Sequence, residues 1–215
     1  KIQSIEDAIT RYVPELKGSA YDGVRIKDVL QMSSGARWNE DYSDPNSDIN
    51  RFAKIFAWGG STDEFTKSLE PENEPGTVAQ YNSADTQALG MLLARATGQS
   101  IAAYMSEKIW LPMGAESSGY WLLDNQNMEM AFAGLNATAR DYAKLGEIYR
   151  LGGQFNGAQI VPADWVRASV TPDAPHLQPA EGNTMFGLGY GHQWWVPAGT
   201  DGEFSAIGVY NQFIF

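Results

Sequence analysis

Few side chains in this 215-residue sequence are placed to do chemistry, and the most suggestive is a tyrosine. Tyr81 stands directly before Asn82 and Ser83, two good helix-capping residues, and Asn82 to Asp85 has capping-box spacing. A phenol at that point either packs as a helix-entry aromatic or works as an acid/base. The helix N-terminus beside it favours phenolate, and so base strength at neutral pH. A second tyrosine, Tyr42, lies in an acidic and polar loop running from Glu40 to Asp48. Ser33 and Ser34 have no base at fixed spacing, and Ser34-Gly35 suits a helix-ending turn, so they read as structural rather than nucleophilic. His176 and His192 are the two histidines, fifteen residues apart without a carboxylate cluster, which is a poor metal pattern.

The absences narrow the chemistry further. There is no cysteine, which excludes disulfides, cysteine-ligated metals and thiol nucleophiles. Gly-x-Ser-x-Gly, phosphate-loop and His-Glu-x-x-His patterns are missing. The run Gly187-Leu188-Gly189-Tyr190-Gly191 opens no helix, so it is not a dinucleotide site. The formal net charge is −11, from 26 acidic against 15 basic residues, and the basic residues are scattered. Such a chain repels phosphate backbones and anionic lipid, so no nucleic acid and no membrane partner is expected. No apolar stretch approaches the ~20 residues of a membrane helix.

The elements that must position these residues are mainly helical over about 1–170. Capping signals and apolar spacing predict a short segment opening at Ser4 and closing before Pro14, and helices over residues 25–32, 48–58, 100–110, 138–151 and 163–170. The clearest runs from Ser83 to Thr97, where Ala88, Leu89, Leu92, Leu93 and Ala96 share a face and Gly98 supplies the stop. Residues 185–196 and 203–215 are aromatic and β-branched and read as two strands joined by a turn at 197–202. Residues 173–183 read as a polar loop. Trp38, Trp58, Trp110, Trp121 and Trp165 are assigned to the core, and Trp194-Trp195 to core or cleft lining.

Several stretches carry a family resemblance. Ile26-Lys27-Asp28-Val29-Leu30-Gln31-Met32-Ser33-Ser34-Gly35, then Pro75-Gly76, Tyr81-Asn82-Ser83 and the helix ending Ala96-Thr97-Gly98, resemble the β-lactamase-related serine hydrolases. That superfamily takes in class C β-lactamases, D-Ala-D-Ala carboxypeptidases and family VIII esterases. Asn136-Ala137-Thr138-Ala139-Arg140-Asp141 and Gly152-Gly153 extend the likeness. Within it, Tyr12-Val13-Pro14-Glu15-Leu16-Lys17-Gly18-Ser19, Asn39-Glu40-Asp41-Tyr42-Ser43-Asp44-Pro45, Gln193-Trp194-Trp195 and Ile207-Gly208-Val209 resemble the 6-aminohexanoate-dimer (nylon oligomer) hydrolases.

The resemblance implies an α/β (α+β) penicillin-recognising fold, incomplete here: a helical region over about 1–170 and part of an antiparallel sheet over about 184–215. It implies hydrolysis of a small-molecule ester or amide through an acyl-serine, without metal or organic cofactor. Tyr81 takes the family's tyrosine position and its acid/base role. Ser83 stands at the position of the substrate-binding asparagine. Ala206-Ile207-Gly208 stands at the third motif, where only the glycine is kept and the family's cation is lost. Gly208 lets substrate approach the backbone, and the Val209 N–H is an oxyanion-hole donor. Tyr42 is expected to meet the leaving amide of the substrate.

The family's nucleophile is a Ser-x-x-Lys, and no lysine here has serine three positions before it. The expectation is therefore that 1–215 is an internal fragment of one catalytic domain, inactive by itself, with the nucleophile upstream of Lys1. Strands lacking their family neighbours would favour self-association through the exposed sheet edge. The competing expectation is a non-catalytic, ligand-binding relative.

Overall fold

The computed structural model describes residues 1–180, 184–199, 201–209 and 212–215. The chain forms two compact units, 1–101 with 121–134, and 102–120 with 135–215. The chain passes from one unit to the other after Ile101, within β1 (Tyr120–Trp121) and just before β2 (Leu135–Asn136).

The first unit is helical and is built around α1 (Ile26–Leu30), α2 (Asp48–Trp58), α3 (Thr62–Lys67) and α4 (Ser83–Thr97). Each of the last three starts on a side-chain cap: Ser47, Ser61 and Asn82 accept from the backbone N–H of Asn50, Glu64 and Ala84. Gly98, at φ 70°, ends α4 in the left-handed conformation that a side chain would resist. Packed against α1 and α3, α4 buries Ala84, Ala88, Met91 and Leu92 in a core shared with Ile9, Leu16, Tyr21, Val29 and Phe52. Phe52 stacks on Phe65 and Phe132, and Trp38 meets Phe52 edge-on.

Residues 121–134 close this unit through polar bonds as well as packing. Gln87, fully buried in α4, donates to the Glu129 carbonyl (3.0 Å) and accepts from the Ala131 N–H (2.8 Å). Asp124 accepts from both the backbone and the hydroxyl of Thr62, each at 2.8 Å. A buried amide or carboxylate is tolerated when its bonds are made, and these are.

The second unit holds the rest of α5 (Ile101–Met105), whose first residue belongs to unit 1, and which runs on as a wider turn of helix through Trp110. It also holds α6 (Ala139–Arg150), α7 (Ala163–Ser169) and three antiparallel strand pairs. These are β3 (Gln154–Phe155) with β4 (Ala158–Gln159), β5 (Gly189–Tyr190) with β6 (Trp195–Val196), and β7 (Ala206–Gly208) with β8 (Gln212–Ile214). Gly146 of α6 makes room for β8: a Cβ there would lie 2.6 Å from Ile214 Cγ2.

Three expectations need correction. The segment from Ser4 to Pro14 is not a capped helix. Ser4 Oγ accepts from the nearby Glu6 N–H, and only Ile9–Arg11 makes a 3₁₀ turn. The two long strands are each folded back on themselves as hairpins. Gln193 at φ 66° turns the chain between β5 and β6, and Met185–Gly187 is a 3₁₀ turn with Phe186 at φ 65°. Trp58 is 77% exposed and belongs to no core. Parts of the expected loop, turn and second strand, at 181–183, 200, 210 and 211, lie outside the described residues.

Candidate active site

Tyr81 is delivered to its position by two loops laced together. After α1 the chain turns through Met32, a non-glycine residue at φ 53°, and runs out through Ser33 to Trp38. The returning stretch binds to it by backbone bonds: Glu72 and Asn73 N–H to the Gly35 carbonyl, Gly76 N–H to Ser33, and Gln80 N–H to Met32. Gln80 adds a side-chain bond to the Trp38 carbonyl at 2.9 Å. Gly35 is required here, since its φ is +79° and a Cβ would stand 2.1 Å from the Asn73 carbonyl oxygen. Tyr81 follows immediately, one residue before the cap of α4.

Tyr42 reaches the same place from the other side. Its backbone carbonyl accepts from Asn50 Nδ2 of α2 (3.1 Å), which also holds the Asp44 carbonyl (2.8 Å). Its side chain is half exposed and its hydroxyl donates to Glu40 Oε1 at 2.7 Å. Ser83 Oγ donates to the same oxygen, also at 2.7 Å. The other oxygen, Glu40 Oε2, accepts from the Ser83 backbone N–H at 3.2 Å and from Trp38 Nε1. Four donors thus converge on one carboxylate, tying Trp38, Tyr42 and the first residue of α4 into one cluster next to Tyr81.

That carboxylate changes the electrostatics expected for Tyr81. Burial first, and then the negative charge of Glu40, push the Tyr81 phenol up to about 12. Tyr42 is raised as well, by burial first and then by Glu40. The helix N-terminus therefore does not leave Tyr81 ionised: desolvation and an adjacent anion outweigh a terminal partial charge that is worth about 1 kcal/mol or less. In this state the phenol is neutral at pH 7.

Beneath the cluster lies a second buried group. Asp85 accepts from Ser34 Oγ (2.7 Å) and Tyr21 OH (2.9 Å) through Oδ1, while Oδ2 has no partner. Burial pushes its carboxyl up to about 7, against the lowering effect of those two hydroxyls. Ser34 is buried, and its hydroxyl bridges Asp85 and the Ala36 N–H, which holds it in the interior as a structural group.

Of the residues singled out from the sequence, Tyr81, Tyr42 and Ser83 meet in one cluster of the first unit. Gly208 and Val209 belong to the second unit, at the end of β7 and in the turn that follows. The Val209 carbonyl accepts from Gln212 Nε2 at 2.7 Å, and a groove of about 640 Å³ lined by Gly208, Gly146 and Phe215 runs beside α6. Glu40, the centre of the cluster, escaped the sequence reading. Its signal was the alternation Trp38, Glu40, Tyr42, which puts three polar tips on one side of an extended stretch. Among the described residues no group of three or more His, Cys, Asp or Glu side chains is placed to hold a metal, and no helix is long and apolar enough to cross a membrane.

The comparison with known proteins decides the family. The model of the Beta-lactamase family matches residues 3–215. The chain belongs to that family. It is 32% identical over 213 residues to the 6-aminohexanoate-dimer hydrolase of Paenarthrobacter ureafaciens, a match covering 95% of this chain and 54% of that protein. A solved structure from Bacillus anthracis, provisionally assigned as a 6-aminohexanoate-dimer hydrolase, superposes with a TM-score of 0.83 at 27% identity, over 98% of this chain and 56% of the other. A family VIII carboxylesterase shares the fold at a TM-score of 0.73 and 16% identity, over 98% of this chain and 66% of its own. The chain thus spans little more than half the length of the 6-aminohexanoate-dimer hydrolases that it matches. The mixed helix and sheet architecture is that of this family, with short antiparallel pairs as its sheet.

Proposed function

We propose that the protein carrying this chain is a serine hydrolase that cleaves a small carboxylic ester or amide through an acyl-serine intermediate. The observation that carries the reading is the convergence of Tyr42 and Ser83 on Glu40 at the start of α4, beside Tyr81, in a chain of the Beta-lactamase family. The 215 residues make up part of one catalytic domain. Its Ser-x-x-Lys, absent from this sequence, is supplied from outside it. The neutral Tyr81 phenol stands ready to donate a proton to the leaving group. A lysine ammonium brought beside it would counter the charge of Glu40 and ease the return transfer. Tyr42 meets the substrate near the scissile bond, and the Val209 N–H stabilises the oxyanion above the open backbone of Gly208.

This reading is tested by treating the full-length protein with a serine-directed phosphonate and mapping the label. Labelling of a serine followed three residues later by lysine, outside 1–215, with turnover of nitrophenyl esters, is the expected result. The 215-residue chain alone should turn over neither activated esters nor β-lactams. A labelled serine within 1–215 would overturn the placement of the nucleophile. No label and no turnover, with ligand binding kept, would make the protein a non-catalytic binder, a reading favoured by the loss of the third-motif cation at Ala206.

A further inference from the structure

We propose that Glu40 is a specificity-determining positioning residue, which fixes the hydroxyl of Tyr42 as a hydrogen-bond acceptor toward substrate and so favours amides over esters. The inference rests on the reading of Tyr42 as a substrate contact, and it concerns the direction of one proton. An ionised carboxylate only accepts hydrogen bonds, so each of the groups around Glu40 must donate to it. For the Trp38 and Ser83 N–H groups that is no constraint. For Tyr42 it is, because the hydroxyl has a single proton and points it at Oε1, 2.7 Å away. What the half-exposed phenol then offers is its oxygen, which the Ser83 hydroxyl also approaches and which keeps a second lone pair for substrate. A secondary amide N–H is the partner this oxygen requires. An ester, with an acceptor oxygen in the same place, gives it nothing.

The four bonds divide between the two carboxylate oxygens in a way that makes the proposal sharp. Both N–H donors lie on Oε2, and both hydroxyls lie on Oε1. In Glu40→Gln the amide oxygen can take the Oε2 place and keep Trp38 and the Ser83 backbone. The amide nitrogen then faces Tyr42 and Ser83 and donates to them. The shape of the cluster is retained, while the Tyr42 proton is turned outward, toward a substrate N–H that also needs an acceptor.

The test compares the full-length enzyme and its variants on three substrates with one acyl group: a nitroanilide, its N-methyl anilide without the N–H, and the nitrophenyl ester. In Glu40→Gln the anilide-to-ester ratio of kcat/KM is expected to fall by about tenfold or more, the scale of one mismatched hydrogen bond in a site. The N-methyl anilide should move with the ester. Tyr42→Phe should lower the ratio similarly, and Glu40→Gln added to Tyr42→Phe should change it no further, because Glu40 acts through that hydroxyl. Equal losses on all three substrates, or an undiminished ratio, would overturn the inference. So would a further drop of the ratio in the double variant. The Trp38 indole N–H proton resonance reports the Glu40 bond without turnover. It should move upfield in Glu40→Gln, and a resonance unchanged by the substitution would also overturn the inference. A wild-type enzyme that cleaves none of the substrates, with the Trp38 resonance responding as described, would instead overturn the hydrolase reading.

Discussion

At the scale of single residues, two carboxylates and one phenol set what the first unit can do. Burial and then Glu40 raise the Tyr81 phenol further above pH 7, and its hydroxyl is the group proposed to move a proton. Tyr81→Phe in the full-length protein should keep the fold yet slow acylation by about 10²–10⁴, the usual contribution of a positioned acid or base. Ser83→Ala should cost less, since Glu40 keeps the Ser83 backbone N–H and two other donors. Acylation rates with one activated ester decide both. Wild-type acylation in Tyr81→Phe would reduce Tyr81 to a packed helix-entry residue.

Asp85 makes a separate, thermodynamic prediction. Its carboxyl titrates near 7 when folded, against a reference of 3.8, because ionisation in a buried site with two hydroxyl donors and no cation is costly. The folded chain therefore holds a proton that the unfolded chain has lost, and stability falls as pH rises from about 4 to about 7. Above that range the contribution is constant. Urea midpoints measured from pH 4 to 8 should show this decline in the wild type and a flatter profile in Asp85→Asn. Parallel profiles would mean that Asp85 does not titrate in this window.

At the scale of elements, what was legible in the sequence depended on whether a local signal decided the structure. The bounds of α2 and α4 followed from side-chain caps and glycine stops, both of which are short-range. The strands did not, because aromatic and β-branched composition marks β-structure without fixing where it turns. Positive-φ residues such as Phe186 and Gln193 carry no strong compositional mark, and they break the first run into a 3₁₀ turn and a hairpin. Likewise, motif position singled out Tyr81 and Tyr42 as candidates, while Glu40 was hidden among the acidic residues of its loop. Only the tertiary fold brings it to Ser83, 43 positions away. The lacing of the two loops can be tested at Gly35. Gly35→Ala forces a Cβ onto the Asn73 carbonyl at a left-handed backbone position, so a loss of about 3 kcal/mol or more is expected. Urea unfolding measures it, and a loss under 1 kcal/mol would mean that the loops separate easily.

At the scale of the whole molecule, the strand pairs of the second unit among the described residues are two-stranded, with β6 joined further only by the Trp195–Ser205 bridge, so most strands have an edge without a sheet partner. Phe213 and Phe215, at the end of β8, are exposed beside it. Edges of this kind template further pairing. The 215-residue chain should therefore self-associate, with sedimentation coefficients that rise over the micromolar range. A monomer throughout that range would show that these edges are adequately protected.

The return of residues 121–134 to the first unit has a consequence in time. Synthesis runs from the N-terminus, so Gln87 and Thr62 are made before Glu129, Ala131 and Asp124. Until they arrive, Gln87 is an amide in an apolar interior with much of its bonding capacity unmet, and Thr62 waits for Asp124. A nascent chain that ends near residue 101 therefore holds its helices in a loose, unlatched form. The first unit can close once residue 134 is made, whereas the second waits for residues up to 215.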